Sequence, residues 1–173
     1  MNGPEFRDFP LEVGGACGAR ALQVVYHYHL GRTSSQERIT RELGTTGLGT
    51  LEGGTTVLQM TGHLTRNGVS VMEFFGADWD LLTHFVNDPK YAVIVDYWDS
   101  DSQDENGGYF GHYDVAQAIV YDTIHFVDGS TMSRQEFEEK WHDFEEDETG
   151  HRMRIDRYML ATYLPKRVSI FGG

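Results

Sequence analysis

Basic residues and cysteines are scarce in this chain, and long apolar runs are missing. Its 173 residues hold 14 lysines and arginines against 27 aspartates and glutamates, a formal charge of −13. Such a surface repels phosphate backbones, which excludes a nucleic-acid partner and leaves basic peptides as the class it would attract. One cysteine forms no internal disulfide, and with it goes the expectation of a cytoplasmic protein. No apolar stretch approaches the ~20 residues of a membrane span, and no basic segment followed by an apolar one opens the chain. A phosphate-binding loop is excluded too, because the glycine-rich stretch 44–54 contains no lysine.

The composition that remains is globular, with 39% hydrophobic and 13% aromatic residues. Its length predicts a single domain over residues 1–173. Residues 1–6 fit no pattern and are expected to include cloning residues, and 171–173 read as a flexible tail. Acidity gathers in two runs, 99–105 and 136–148, which read as solvated faces.

Periodicity divides the chain in two. Ala21, Leu22, Val25, Tyr28 and His29 share one face of a helix over 19–29, closed by Gly31. Ser34 and Glu37 have the spacing of a capping box for a short helix through Leu43. A loop over 44–54 precedes a third helix, capped by Thr55 or Thr56 and stopped at Asn67-Gly68. Strands are then expected at 69–75 and 91–97, the latter apolar enough to be buried on both faces, with a helix over 78–86 between them. A hairpin over 112–128 turns at Asp122-Thr123. Ser133 and Glu136 cap a helix bearing Phe137, Trp141 and Phe144, and 154–164 forms the final strand. Helices first and an antiparallel sheet second make the fold class α+β.

The chemistry centres on Cys17, placed at the start of the first helix, where free N–H groups and the helix dipole favour a thiolate. Gly14, Gly15 and Gly18 flank it and allow close backbone approach, the property of a narrow substrate cleft. His112 opens a strand and is the candidate base for the thiol. Asp128, at the end of the next strand, is the candidate orienter, with Asp114 as its rival two residues along from His112. Each residue alone has a structural explanation: a buried cysteine, a strand histidine, a turn aspartate. Their order gives them joint meaning.

The stretch Ala16-Cys17-Gly18-Ala19-Arg20-Ala21-Leu22, then Gly111-His112-Tyr113 leading to Val127-Asp128-Gly129-Ser130, resembles the bacteriocin-processing peptidases. These are papain-like cysteine peptidases that cut leader peptides after a double glycine. The acidic and aromatic segment from Ser133 to Trp141 is similar to the family's element after the aspartate. The resemblance implies a papain-like fold with N-terminal helices packed on a C-terminal antiparallel sheet. It further implies Cys17 as nucleophile, His112 as base, Asp128 as orienter, no cofactor, and a leader-like peptide as partner. It covers nearly the whole chain and implies a free-standing module, without the family's exporter domains.

One position departs from the family pattern. Its members carry a glutamine six residues before the cysteine, whose amide stabilises the oxyanion; here Leu11 stands there, followed by Glu12. The Cys17 N–H supplies one oxyanion donor, and Glu12 is the candidate for the second if it is protonated. Three readings follow from the same residues: a peptidase, an acyl transferase on the same triad, and a peptide-binding module that has lost catalysis. No metal site is expected. His27 and His29 diverge on a helix, and the acidic stretch 99–105 lacks the glycine and terminal glutamate of a calcium loop.

Overall fold

The computed structural model describes residues 5–12, 14–45, 54–103, 109–146 and 152–165. The expected loop at 44–54, the acidic stretch at 99–105 and the starting segment 1–6 lie partly outside these residues, and the tail at 171–173 wholly so.

Three helices come first: α1 (Cys17–Leu30), α2 (Gln36–Leu43) and α3 (Val57–Arg66). Helix α1 ends where Gly31 takes φ +62°, a left-handed conformation that glycine adopts without steric cost. The cap of α2 falls one residue later than expected: the Ser35 side chain accepts from the Arg38 N–H. For α3 the cap is Thr56, in a complete capping box with Gln59.

The remainder is β1 (Ser70–Phe74), α4 (Trp79–Val86), β2 (Ala92–Gln103), β3 (Tyr109–Val120), β4 (Thr123–Phe126), β5 (Thr131–Ser133), α5 (Arg134–Lys140), β6 (His142–Glu146), β7 (Arg152–Asp156) and β8 (Met159–Tyr163). Six of the strands form one sheet in the order β1-β8-β2-β3-β4-β5, antiparallel throughout, and β6 pairs with β7 apart from it. The α+β expectation therefore holds.

Both faces of the sheet are covered, as the apolar run at 91–97 requires. Ala92 and Ile94 pack with Leu22, Val25 and Leu64 from the N-terminal helices. Val93, Val95 and Tyr97 pack with Leu82, Phe85 and Phe137 from α4 and α5. This is the alternation of a strand with two buried faces.

Three expectations need correction. The strand expected over 154–164 is two strands in different sheets, divided where Arg157 takes φ +48°. Backbone bonds hold that break: Arg157 N–H donates to Trp141, and Ala77 N–H donates to Arg157. Helix α5 stops at Lys140, leaving Phe144 on β6, while the Trp141 indole donates to the Tyr158 carbonyl at 2.8 Å. The hairpin turns at Tyr121-Asp122 rather than one residue later, with Tyr121 at φ +55°.

Candidate active site

Cys17 is the first residue of α1. The turn before it uses Gly15 at φ +78°, and Ala16 at the cap position has no side chain able to accept from the first turn. The N–H groups at that end therefore have no side-chain cap, and no acidic residue occupies the first turn. The half-buried thiol lies within hydrogen-bonding range of the Tyr113 N–H, one residue after His112. That contact sets the sulfur against the strand that carries the histidine.

The expected lowering of the thiol does not hold in the resting protein. Burial pushes the Cys17 thiol up to about 11; the Tyr113 and Gly18 N–H groups oppose this, and the charges of Asp96 and Asp143 add to it. Asp96 points to the α1 side of β2, two residues beyond Ile94. Asp143 comes from β6 and lies directly on Gly111: a Cβ there would meet its Oδ2 at 1.7 Å. Only glycine at 111 lets that carboxyl approach the backbone beside His112.

His112 stands opposite Tyr97, whose ring meets the imidazole edge-on at 5.4 Å between centroids. Its Nε2 is 3.9 Å from Asp114 Oδ2. Asp128 reaches the same region through backbone pairing. The Val127 N–H donates to Val115, which brings Asp128 level with Asp114, and Gly129 at φ +89° turns the chain so that the Ser130 N–H donates to Asp128 Oδ1 at 2.7 Å. Burial alone would raise the Asp128 carboxyl, but the Ser130 donors and the charges of Arg20 and His112 hold it below the usual range. Asp114 thus lies near the imidazole, and Asp128 is close enough to His112 to feel its charge.

Arg20, one turn along α1 from Cys17, braces this group. Its guanidinium donates to the Phe9 carbonyl at 2.8 Å, to Asp8 at 3.1 Å and to Asp114 Oδ1 at 3.5 Å. Gln36 secures the segment before Cys17. Its amide donates to Pro10 and to Gln23, and its Oε1 accepts from the Glu12 N–H.

The remaining predicted positions are less involved. Leu11 and Glu12, the two positions considered for the second oxyanion donor, are both exposed. Gln36 is no substitute, because its amide hydrogens are already engaged. Gly18 is buried, and a Cβ on it would meet Thr55 at 2.9 Å; its close approach is to the segment before α3 rather than to a cleft. Gly14 is exposed with open space around it. Among the described residues no group of three His, Cys, Asp or Glu is placed to hold a metal ion, and no helix is long and apolar enough to cross a membrane.

Sequence reasoning missed Asp96, Asp143 and the bracing role of Arg20. A lone acid within the apolar run 91–97 was the available signal for Asp96. Asp143 was hidden in an acidic run read as solvated, although it is 9% exposed.

The fold is similar to that of solved C39 and double-glycine peptidase domains. Solved structures of similar fold include the peptidase domain of Streptococcus ComA, a bi-functional ABC transporter involved in quorum sensing, at 20% identity and TM-score 0.62, covering 93% of this chain and all of that one. A C39-like peptidase structure from Bacillus anthracis matches at 15% identity and TM-score 0.59, over 95% of this chain and 96% of the other. A double glycine motif protease from an AMS/PCAT transporter, solved with its leader peptide, matches at 13% identity and TM-score 0.58 over the same shares. No family model matches the chain, and no curated protein matches it in sequence.

Proposed function

We propose that this protein is a cysteine peptidase that hydrolyses a peptide bond after small residues, such as Gly-Gly in a leader-like peptide. The observation that carries this reading is the thiol at the N-terminus of α1, held against the backbone beside His112 in a fold shared with double-glycine peptidase domains. Because the resting thiol keeps its proton, His112 must act as a general base during attack. The sulfur adds to the carbonyl carbon as its proton passes to His112. The C–N bond then breaks as His112 returns that proton to the leaving amine. Water, deprotonated by His112, splits the thioester and restores the thiol. Asp128 holds the imidazole for both transfers. The Cys17 N–H is one oxyanion donor, and the open space at Gly14 leaves room for an extended peptide with small side chains.

The test is cleavage of a peptide containing Gly-Gly, compared with peptides in which either glycine is replaced by leucine. Cleavage after Gly-Gly, lost in both leucine peptides and in Cys17→Ala, supports the reading. Two observations favour a second reading, a peptide-binding module: the neutral thiol, and the exposed leucine where an oxyanion donor is expected. Saturable binding of the Gly-Gly peptide with no turnover would decide for it.

A further inference from the structure

A buried carboxyl, that of Asp114, and the exposed carboxyl of Asp128 meet behind His112, and the positive charge near them is small. Asp114 is 1% exposed, and its Oδ1 accepts from the Val115 N–H at 2.7 Å and from Arg20 at 3.5 Å. Its Oδ2 is buried, with no donor among the described residues in reach. The group at hydrogen-bonding range of this carboxyl is a second carboxyl, that of Asp128. Two carboxylates both lack a proton to donate, so they join only when one of them keeps it.

The charged groups facing the pair are few. Arg20 comes from α1 and also serves Asp8 of the N-terminal segment; His112 comes from the same strand as Asp114. Val95, opposite Asp114 on β2, brings no charge. One guanidinium thus serves three carboxyls. Each carboxyl has one backbone N–H, from Val115 or Ser130, but Asp128 is exposed and Asp114 is not, so Asp114 is the member that retains the proton.

Resting on the peptidase reading, we infer that Asp114 is a positioning residue: it shares one proton with Asp128 and so sets the alkaline limit at which His112 remains protonated. Burial above all, and Asp128 against the pull of Arg20, push the Asp114 carboxyl up to about 7. Below that pH it is neutral and bridges to Asp128. Above it, the pair carries a second negative charge, 3.9 Å from His112 Nε2, which holds the proton on the imidazole.

Asp114→Asn imitates the protonated form at every pH and tests this directly. Because neutral His112 is the base, the acid limb of kcat, and that of Cys17 alkylation by a neutral haloacetamide, should move to lower pH by about one unit, with KM unchanged. Carboxyl carbon NMR of the wild type should show one aspartate titrating near neutral pH, a signal missing from the variant. Superposable pH profiles, or no aspartate titrating above about pH 5, would overturn the inference. The NMR arm requires no catalysis, and it decides on the wild type alone should the variant fail to fold. A neutral-pH aspartate in a protein that cleaves nothing upholds the shared proton while removing the peptidase reading.

Discussion

Beside Cys17 stand Asp96 and Asp143; behind His112 stand Asp114 and Asp128. The first pair adds its charge to the burial of the thiol and opposes thiolate formation. The second pair faces the imidazole, where negative charge favours the protonated ring. Identical side chains therefore push the two halves of one proton transfer in different directions. The proton is kept on sulfur at rest and is welcome on His112 once it moves. An aspartate's effect here depends on which partner it faces, and replacing each by asparagine separates the two pairs.

The largest effect is expected at Asp128. Asparagine there keeps the shape but loses the charge that holds the ring, so kcat on a Gly-Gly peptide should fall by about 10²–10⁴. An unchanged kcat would pass the orienting role to Asp114.

Asp114→Asn is expected to change stability through linkage. A carboxyl raised from 3.8 unfolded to about 7 folded makes the native state bind more protons between those values. The wild type therefore has this stability in full at low pH and loses it as pH rises through about 7. The asparagine variant escapes that loss and should be more stable than wild type at pH ~8, by on the order of 2–4 kcal/mol, relative to any difference at pH ~4. Urea unfolding at the two pH values measures it, and a pH-independent difference would contradict the raised carboxyl.

Asp143→Asn should give the smallest change, opposite in sign to the first. Removing that charge lowers the thiol pKa, so alkylation of Cys17 at neutral pH should accelerate about tenfold. Asparagine also preserves the contact on Gly111, which keeps the test electrostatic. A slower reaction would mean that Asp143 supports the thiol instead of opposing it.

Much of this arrangement is legible in the sequence because it is local. Helix α1 starts at its glycine-flanked cysteine, and Asp128 sits in a turn that its following glycine forms. Caps at Thr56 and Ser133 follow from one side chain reaching a nearby N–H. What escaped is set by partners distant in sequence. Arg157 divides a continuous strand pattern because Trp141 and Ala77 hold its backbone. Asp143 belongs to an acidic run, and only the approach of β6 to Gly111 buries it. The thiol's ionisation likewise depends on Asp96 and Asp143, both far from Cys17 along the chain, which no reading of the helix terminus contains.

Acid-quenched intact-mass analysis during turnover tests the central claim, that the Cys17 sulfur attacks a peptide carbonyl. With a Gly-Gly peptide in excess, the protein should gain the mass of the N-terminal fragment less water. That adduct should map to Cys17, be absent from Cys17→Ala and accumulate more slowly in His112→Ala. Cleavage that persists in Cys17→Ala, or a wild-type protein that neither forms the adduct nor cuts the peptide between about pH 5 and pH 9, would contradict the account.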